Sequence, residues 1–213
     1  SAEQGAVDNE SHLISHISHL TSNKSEIRLD LADRWILSRL HSTIKELNDA
    51  LSEFEINQAT KILYSFIWHD FCDWYVEMLK GRLYGTEPNE VKQIVLNRAL
   101  GVFDSALRLL HPFMPFITEE LWQHLEERKP NASIMVSDYP IHDSSFIDSQ
   151  VEAEMSFVQN AILSIRNIRG ELSVPPSKEI QLIIRFSEGA KEEIIQKYAS
   201  YFQRLARVTS IEQ

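Results

Sequence analysis

The stretch from Leu109 to Leu125, LLHPFMPFITEELWQHL, constrains the fold more than any other. An apolar helical run arrives at Leu109 and Leu110, meets Pro112 and Pro115, and a second run leaves through Thr118, Glu119, Glu120, Leu121 and Trp122. Proline fixes φ and has no N–H, so a helix stops before it and restarts with proline in its first turn. The sequence therefore predicts two helices joined at a fixed corner. Phe113, Met114, Phe116 and Ile117 occupy that corner. Connections are usually polar and lie on the surface, so an apolar one predicts a corner folded into the core.

Upstream, the apolar residues keep a helical period. Leu29 to Phe54 reads as a first helix through Leu31, Trp35, Leu37, Leu40, Ile44, Leu47 and Leu51, with Asp30 or Asp33 as its cap. Ile56 to Leu83 reads as a second, rich in aromatics from Tyr64 to Tyr75, with Asn57 as a possible cap and Gly81 to Asn89 ending it. Glu90 to Leu110 is a third and Pro115 to Glu127 a fourth.

Beyond the Lys129-Pro130-Asn131 turn the pattern changes. Ser133 to Val136 is a short strand candidate, Tyr139 to Asp148 a loop, and Val151 to Arg169 a helix. Val174 to Ser177 is a stiff extended link. Ile180 to Phe186 is β-rich, Glu188 to Leu205 an amphipathic helix, and Arg207 to Ile211 a last strand. The expected fold is mainly α: a helical bundle over residues 29–130, a small α+β subdomain over 131–213, and a polar segment at 1–28.

Composition narrows the function. No apolar run approaches the roughly 20 residues of a membrane span. The polar, acidic N-terminus is unlike a signal peptide. The one cysteine, Cys72, cannot form an internal disulfide, which fits a cytoplasmic protein. The net charge of −10 argues against bulk DNA binding, yet leaves room for a local basic face. The start at Ser1 rather than Met reads as a piece of a longer protein.

Three chemistries are candidates. His12, His16 and His19 share a helix face and could hold a metal, against the plainer reading of a solvated segment. Asp70, Asp73 and Glu77 share another, and carboxylate groups of this kind do acid/base or metal work. On so aromatic a helix, pairing with Arg or Trp N–H is the better expectation. His41, His69-Asp70 and Asp104 follow the order of the HD metal-dependent phosphohydrolases, a short and loose pattern. There is no G-x-G-x-x-G or Walker loop, CxxC, HExxH or G-x-S-x-G.

Taken together, the long stretches resemble one family. Leu31-Ala-Asp-Arg-Trp-Ile-Leu-Ser-Arg-Leu40, Phe66-Ile-Trp-His-Asp-Phe-Cys-Asp-Trp-Tyr-Val-Glu77 and Leu109 to Trp122 look like three ordered signatures of the anticodon-binding domain of class I aminoacyl-tRNA synthetases. Arg166-Asn-Ile-Arg-Gly-Glu-Leu-Ser-Val-Pro-Pro-Ser-Lys178 is most similar to the valine-specific branch, ahead of the isoleucine and leucine branches. The resemblance implies an antiparallel bundle that holds the anticodon stem and loop of tRNA. The HIGH and KMSKS signatures, the editing domain and the C-terminal coiled-coil arm do not occur in these 213 residues. The resemblance thus implies a C-terminal fragment that does not activate an amino acid. ATP and Mg belong to the missing catalytic domain, which would be a partner of this one; no cofactor, DNA or membrane partner is implied for the fragment. RNA loops are read by stacking on aromatic or Arg planes and by polar groups on base edges. The candidates of those types are Arg34, Trp35, Arg39, Asn97, Arg98, Arg166, Asn167 and Arg169. For each, a structural role in the bundle is the competing reading.

Overall fold

The computed structural model describes residues 29–185 and 189–212. The triad His12, His16 and His19 lies outside them. Helix α1 is Leu31–Ser52 and starts where the Asp30 carboxylate accepts the Leu31 N–H at 2.7 Å. Leu31, Trp35, Leu40, Ile44 and Leu47 face inward, as their spacing requires. Helix α2 covers 56–83 in three pieces: α-helical Ile56–Tyr64, π-helical Ser65–Tyr75 and α-helical Val76–Leu83. Asn57 does not cap it; Ile56 is already helical and no side chain caps this end. Helix α3 is Asn89–Leu110 and α4 is Pro115–Leu125.

Contacts fix the directions. Arg39 meets Asp70 while Asp33 meets Tyr75, so α1 and α2 are antiparallel. Phe103 of α3 stacks on Phe71 at 5.5 Å and Arg98 reaches back to Asp33, so α3 runs parallel to α1. Helix α5, Ser149–Glu171, adds Val151, Met155, Val158, Ile162 and Ile165 to the same core. Its cap is Asp148, which accepts the Gln150 and Val151 N–H groups.

Strand β1, Ile180–Ile183, pairs in parallel with β2, Val208–Glu212. Parallel neighbours need a crossover, here α6, Gly189–Lys197, and α7, Ala199–Leu205. The expected single helix breaks at Tyr198, a buried residue whose hydroxyl donates to Glu154 at 2.7 Å. The tail is tied to the bundle by Tyr201, whose hydroxyl lies 2.5 Å from Asp30 Oδ2. Among the described residues the protein is mainly α with a small α+β part near the C-terminus, as the sequence predicts; that the two strands pair in parallel comes from the structure.

Two expectations are corrected. Ile134–Val136 is a 3-10 turn, not a strand: Ser133 caps it, Ile134 is buried, and Met135 and Val136 both point to solvent. A lone three-residue run has no neighbour to pair with. Nor is the double-proline corner folded into the core as a whole: of its four apolar residues only Phe113 packs, partly buried, against it. Met114, Phe116, Ile117 and Leu121 are 51%, 91%, 45% and 40% exposed. The physical reason is that α4 docks by a different stripe. Trp122 is buried with Leu107 and Ile134, and its N–H donates to Asp104 at 2.8 Å. Fully buried Thr118 sits 2.7 Å from His111 Nδ1. With Thr118 and Trp122 inward, Phe116 on the far side of the helix faces outward, and Ile117 and Leu121 flank the buried face.

Two helical glycines make a paired prediction. Gly101 is exposed on α3 with nothing within 4 Å of where a Cβ would stand. Gly101→Ala should raise the urea-unfolding free energy by about 1 kcal/mol. At Gly81 a Cβ would overlap Arg204 Nη1 and lie 2.6 Å from its Cδ. Gly81→Ala should forfeit that gain, because the Arg204 side chain must leave the helix surface. Equal stabilisation by both would show that Arg204 is not seated there.

Candidate nucleic-acid interface

Three of the eight candidates lie inside the protein. Trp35 is 3% exposed, with its ring in the core between helices. Arg98 is 5% exposed and donates to Asp33 at 2.7 Å. Asp33 is fully buried and also accepts from Arg82 at 2.6 Å and from Tyr75 at 3.1 Å. Burial, with Asp33 beside it, pushes the Tyr75 phenol far above the ordinary tyrosine range, so it stays a donor. Arg169 is 8% exposed and donates to the carbonyls of Pro175, Lys178 and Ala206, at 2.9, 2.7 and 3.4 Å. That guanidinium ties the end of α5 to the link and the start of the sheet.

Arg39 is half-buried. It donates to Asp70 at 2.9 Å and to Glu152 at 3.3 Å. Burial works against its charge, but the two carboxylates outweigh that and raise its pKa. Burial lifts the Asp70 carboxyl above its usual value, which Arg39 only partly offsets. The π-helical turn explains why Asp70, Asp73 and Glu77 separate. Asp70 turns in to Arg39, Asp73 stays outside beside His69, and Glu77 pairs with Lys80.

Arg34, Asn97, Arg166 and Asn167 stand at the surface. Arg34 bridges α1 to Asp148 at 3.0 Å, a pair open to water on both sides. Exposed pairs of this kind contribute at most about 1 kcal/mol, so the guanidinium is available to a stronger anion. Arg166 donates Nε to the Leu205 carbonyl at 2.9 Å and lies over the Trp74 ring at 5.8 Å. Asn97 accepts from Gln93 at 2.9 Å. The structure does not gather the eight into one pocket. Asp148, beside Arg34, and Arg166 lie towards opposite ends of α5, about 27 Å apart at 1.5 Å per residue.

An aromatic pair outside the candidate set completes the surface. Tyr64 and Trp68 are 59% and 54% exposed on α2 and stack nearly parallel, with ring centres 6.1 Å apart. His69 closes one side edge-on at 5.6 Å from Tyr64, and exposed Lys61 lies one turn earlier. Its signal in the sequence is the i, i+4 spacing of two large rings. That signal is submerged among six aromatics on one helix, several of which pack inward. An outward π surface next to a cation suits an unstacked base.

The HD arrangement does not assemble. Asp70 binds Arg39, His69 binds Asp73, Asp104 binds Trp122 and Arg128, and His41 stacks on Phe146 at 4.6 Å. Among the described residues no group of three or more His, Cys, Asp or Glu could hold a metal. No described helix is long and apolar enough to cross a membrane.

Comparison with known proteins identifies the family. The valine–tRNA ligase of Fusobacterium nucleatum is 37% identical over 191 residues, which is 89% of this chain and 21% of that protein. That of Bacillus cereus is 40% identical over 192 residues, 90% of this chain and 21% of its own length. That of Clostridium perfringens is 39% identical over 181 residues, covering 85% and 20%. The chain thus spans about a fifth of the length of the curated relatives it matches. Residues 33–184 match the family described as "Anticodon-binding domain of tRNA ligase". With the match covering helices α1 to α5 and the first strand, the chain belongs to that anticodon-binding domain family.

Proposed function

We propose that this chain holds the anticodon stem and loop of a tRNA on behalf of a valine–tRNA ligase. The observation that carries the reading is the match of residues 33–184 to the anticodon-binding family, together with relatives named as valine–tRNA ligases. In the longer protein, attachment of valine to tRNA with ATP and Mg falls to the part outside this chain, and the whole works in the cytoplasm.

The exposed residues divide the work. Arg34 and Arg166 meet phosphates, with Asn97 and Asn167 supplying amide groups for bases or sugars. Trp68 and Tyr64 offer a stacking surface. Trp35, Arg98 and Arg169 shape the scaffold from inside, and Arg39 locks α1 to α2 and α5. A few phosphate contacts plus one or two stacked bases at roughly 1–3 kcal/mol each suffice for useful affinity despite the acidic total charge.

The test is a salt series. Binding of the chain to valine tRNA should weaken steadily as salt rises. The Arg34→Ala/Arg166→Ala pair should flatten that salt dependence and leave the unfolding midpoint unchanged. Trp68→Ala should weaken binding about fivefold or more. No binding at low salt would sink the reading; wild-type affinity in all these variants would return the side chains to a structural role.

A further inference from the structure

Arg169 is a nearly buried charge, and among the described residues all its hydrogen bonds go to carbonyls, those of Pro175, Pro176, Lys178 and Ala206. No described carboxylate pairs with it. Buried charges are ordinarily matched by an opposite one, as Arg98 is by Asp33. Two further cations beside it are in the same condition. Arg166 lies three residues earlier on α5, on the same face. Its Nε is taken by the Leu205 carbonyl at 2.9 Å, which leaves its two Nη groups for another acceptor. Arg207 is exposed, and its side chain has no partner among the described residues.

Backbone contacts bring the three together. Successive carbonyls of one short segment accept from Arg166 at Leu205, from Arg169 at Ala206, and from the Ile180 N–H at Arg207, the last at 3.0 Å. The acids nearby do not cancel this charge. Glu171 is two residues beyond Arg169, so about 200° round the helix and on its other side. Glu179 is matched by Lys178 next to it. From α2, Trp74 faces the Arg166 guanidinium at 5.8 Å, and Glu77 is already paired with Lys80. A helix C-terminus carries about half a negative charge, which balances part of one guanidinium and not three. In a chain of net charge −10, three arginines without a carboxylate make a place for an anion.

We propose that Arg166 and Arg207 grip one backbone phosphate of the bound RNA, with the buried charge of Arg169 behind them. This rests on the reading of the chain as a tRNA holder, and it carries the RNA surface past residues 33–184 onto the C-terminal tail. The groups present suit a phosphodiester. Guanidinium forks match pairs of phosphate oxygens. Exposed Asn167, next to Arg166, places an amide where the adjoining sugar or base would lie.

The test uses Arg207→Gly in this chain, because Arg207 sits at φ 55°, where glycine is unstrained. The variant should unfold at the wild-type midpoint or above. Its affinity for valine tRNA should fall about fivefold, and the slope of log affinity against log salt should drop by about one. Arg207→Lys should keep most of that slope. Arg166→Ala should resemble Arg207→Gly, and the two losses should not multiply in the double variant, since one phosphate can be lost only once. Inorganic phosphate is the second probe. At equal ionic strength it should displace tRNA from the wild-type chain better than chloride does, and from the double variant no better. Wild-type affinity and slope in Arg207→Gly would overturn the proposal and leave the function above standing. Losses that multiply would mean two separate contacts and overturn the shared phosphate. Inorganic phosphate bound at these arginines, with tRNA affinity equal in all variants, would make this a free-anion site and overturn the RNA assignment. Failure of the wild-type chain to bind tRNA would overturn the function proposed above, and this site with it.

Discussion

Asp33→Ala should cost about 3–5 kcal/mol, a large share of the roughly 5–15 kcal/mol that holds a domain together. Asp33 is fully buried and accepts from Arg82, Arg98 and Tyr75. It therefore joins α1, α2 and α3 in one network. Removing the carboxylate leaves the Arg98 guanidinium, itself 6% exposed, and that of Arg82, at 13%, without their counter-charge. Urea unfolding of the variant checks this. A loss under about 1 kcal/mol would mean that the two guanidinium groups find water or new partners, and that the network is not what joins the helices.

Arg169→Ala should cost at least about 3 kcal/mol, because several carbonyls lose a charged donor at once and each such bond is worth roughly 1.5–3 kcal/mol. The effect should be local at first. Amide exchange should quicken around Ile180 and Val208, whose strand pairing begins beside the Lys178 and Ala206 carbonyls that Arg169 holds. Arg169→Lys should not rescue it, since one ammonium cannot span acceptors this widely spread. If Arg169→Ala left stability unchanged and abolished tRNA binding, the residue would belong to the RNA contact and not to the scaffold.

These two residues also show where sequence reading stops. The helices were legible because their apolar residues recur at helical spacing, and the α3–α4 break because proline forbids continuation. The sidedness of the corner was not. Four large apolar residues say that a surface wants to be covered, but not whether this chain covers it. Thr118 and Trp122 decide that, through hydrogen bonds to His111 and Asp104. The roles of the arginines were hidden for a similar reason. Arg98 stands alone in any local window, and its carboxylate lies 65 residues upstream. Arg34 and its partner Asp148 are 114 residues apart. Exposure separates Arg34 and Arg166 from Arg98 and Arg169, and exposure is a property of the fold. The π-helical turn left no trace in the pattern either, yet it sends Asp70 inward and leaves Trp68 outside.

Whether this chain by itself reads the anticodon loop is measured most directly with a short RNA hairpin that carries only the valine anticodon stem and loop. A second hairpin with the same stem and changed loop bases is the comparison. The valine hairpin should bind, and the changed loop should bind about tenfold more weakly, the worth of one stacked or hydrogen-bonded base. Equal affinity for both hairpins would contradict this, and would leave the chain a holder of RNA backbone with no part in reading the anticodon.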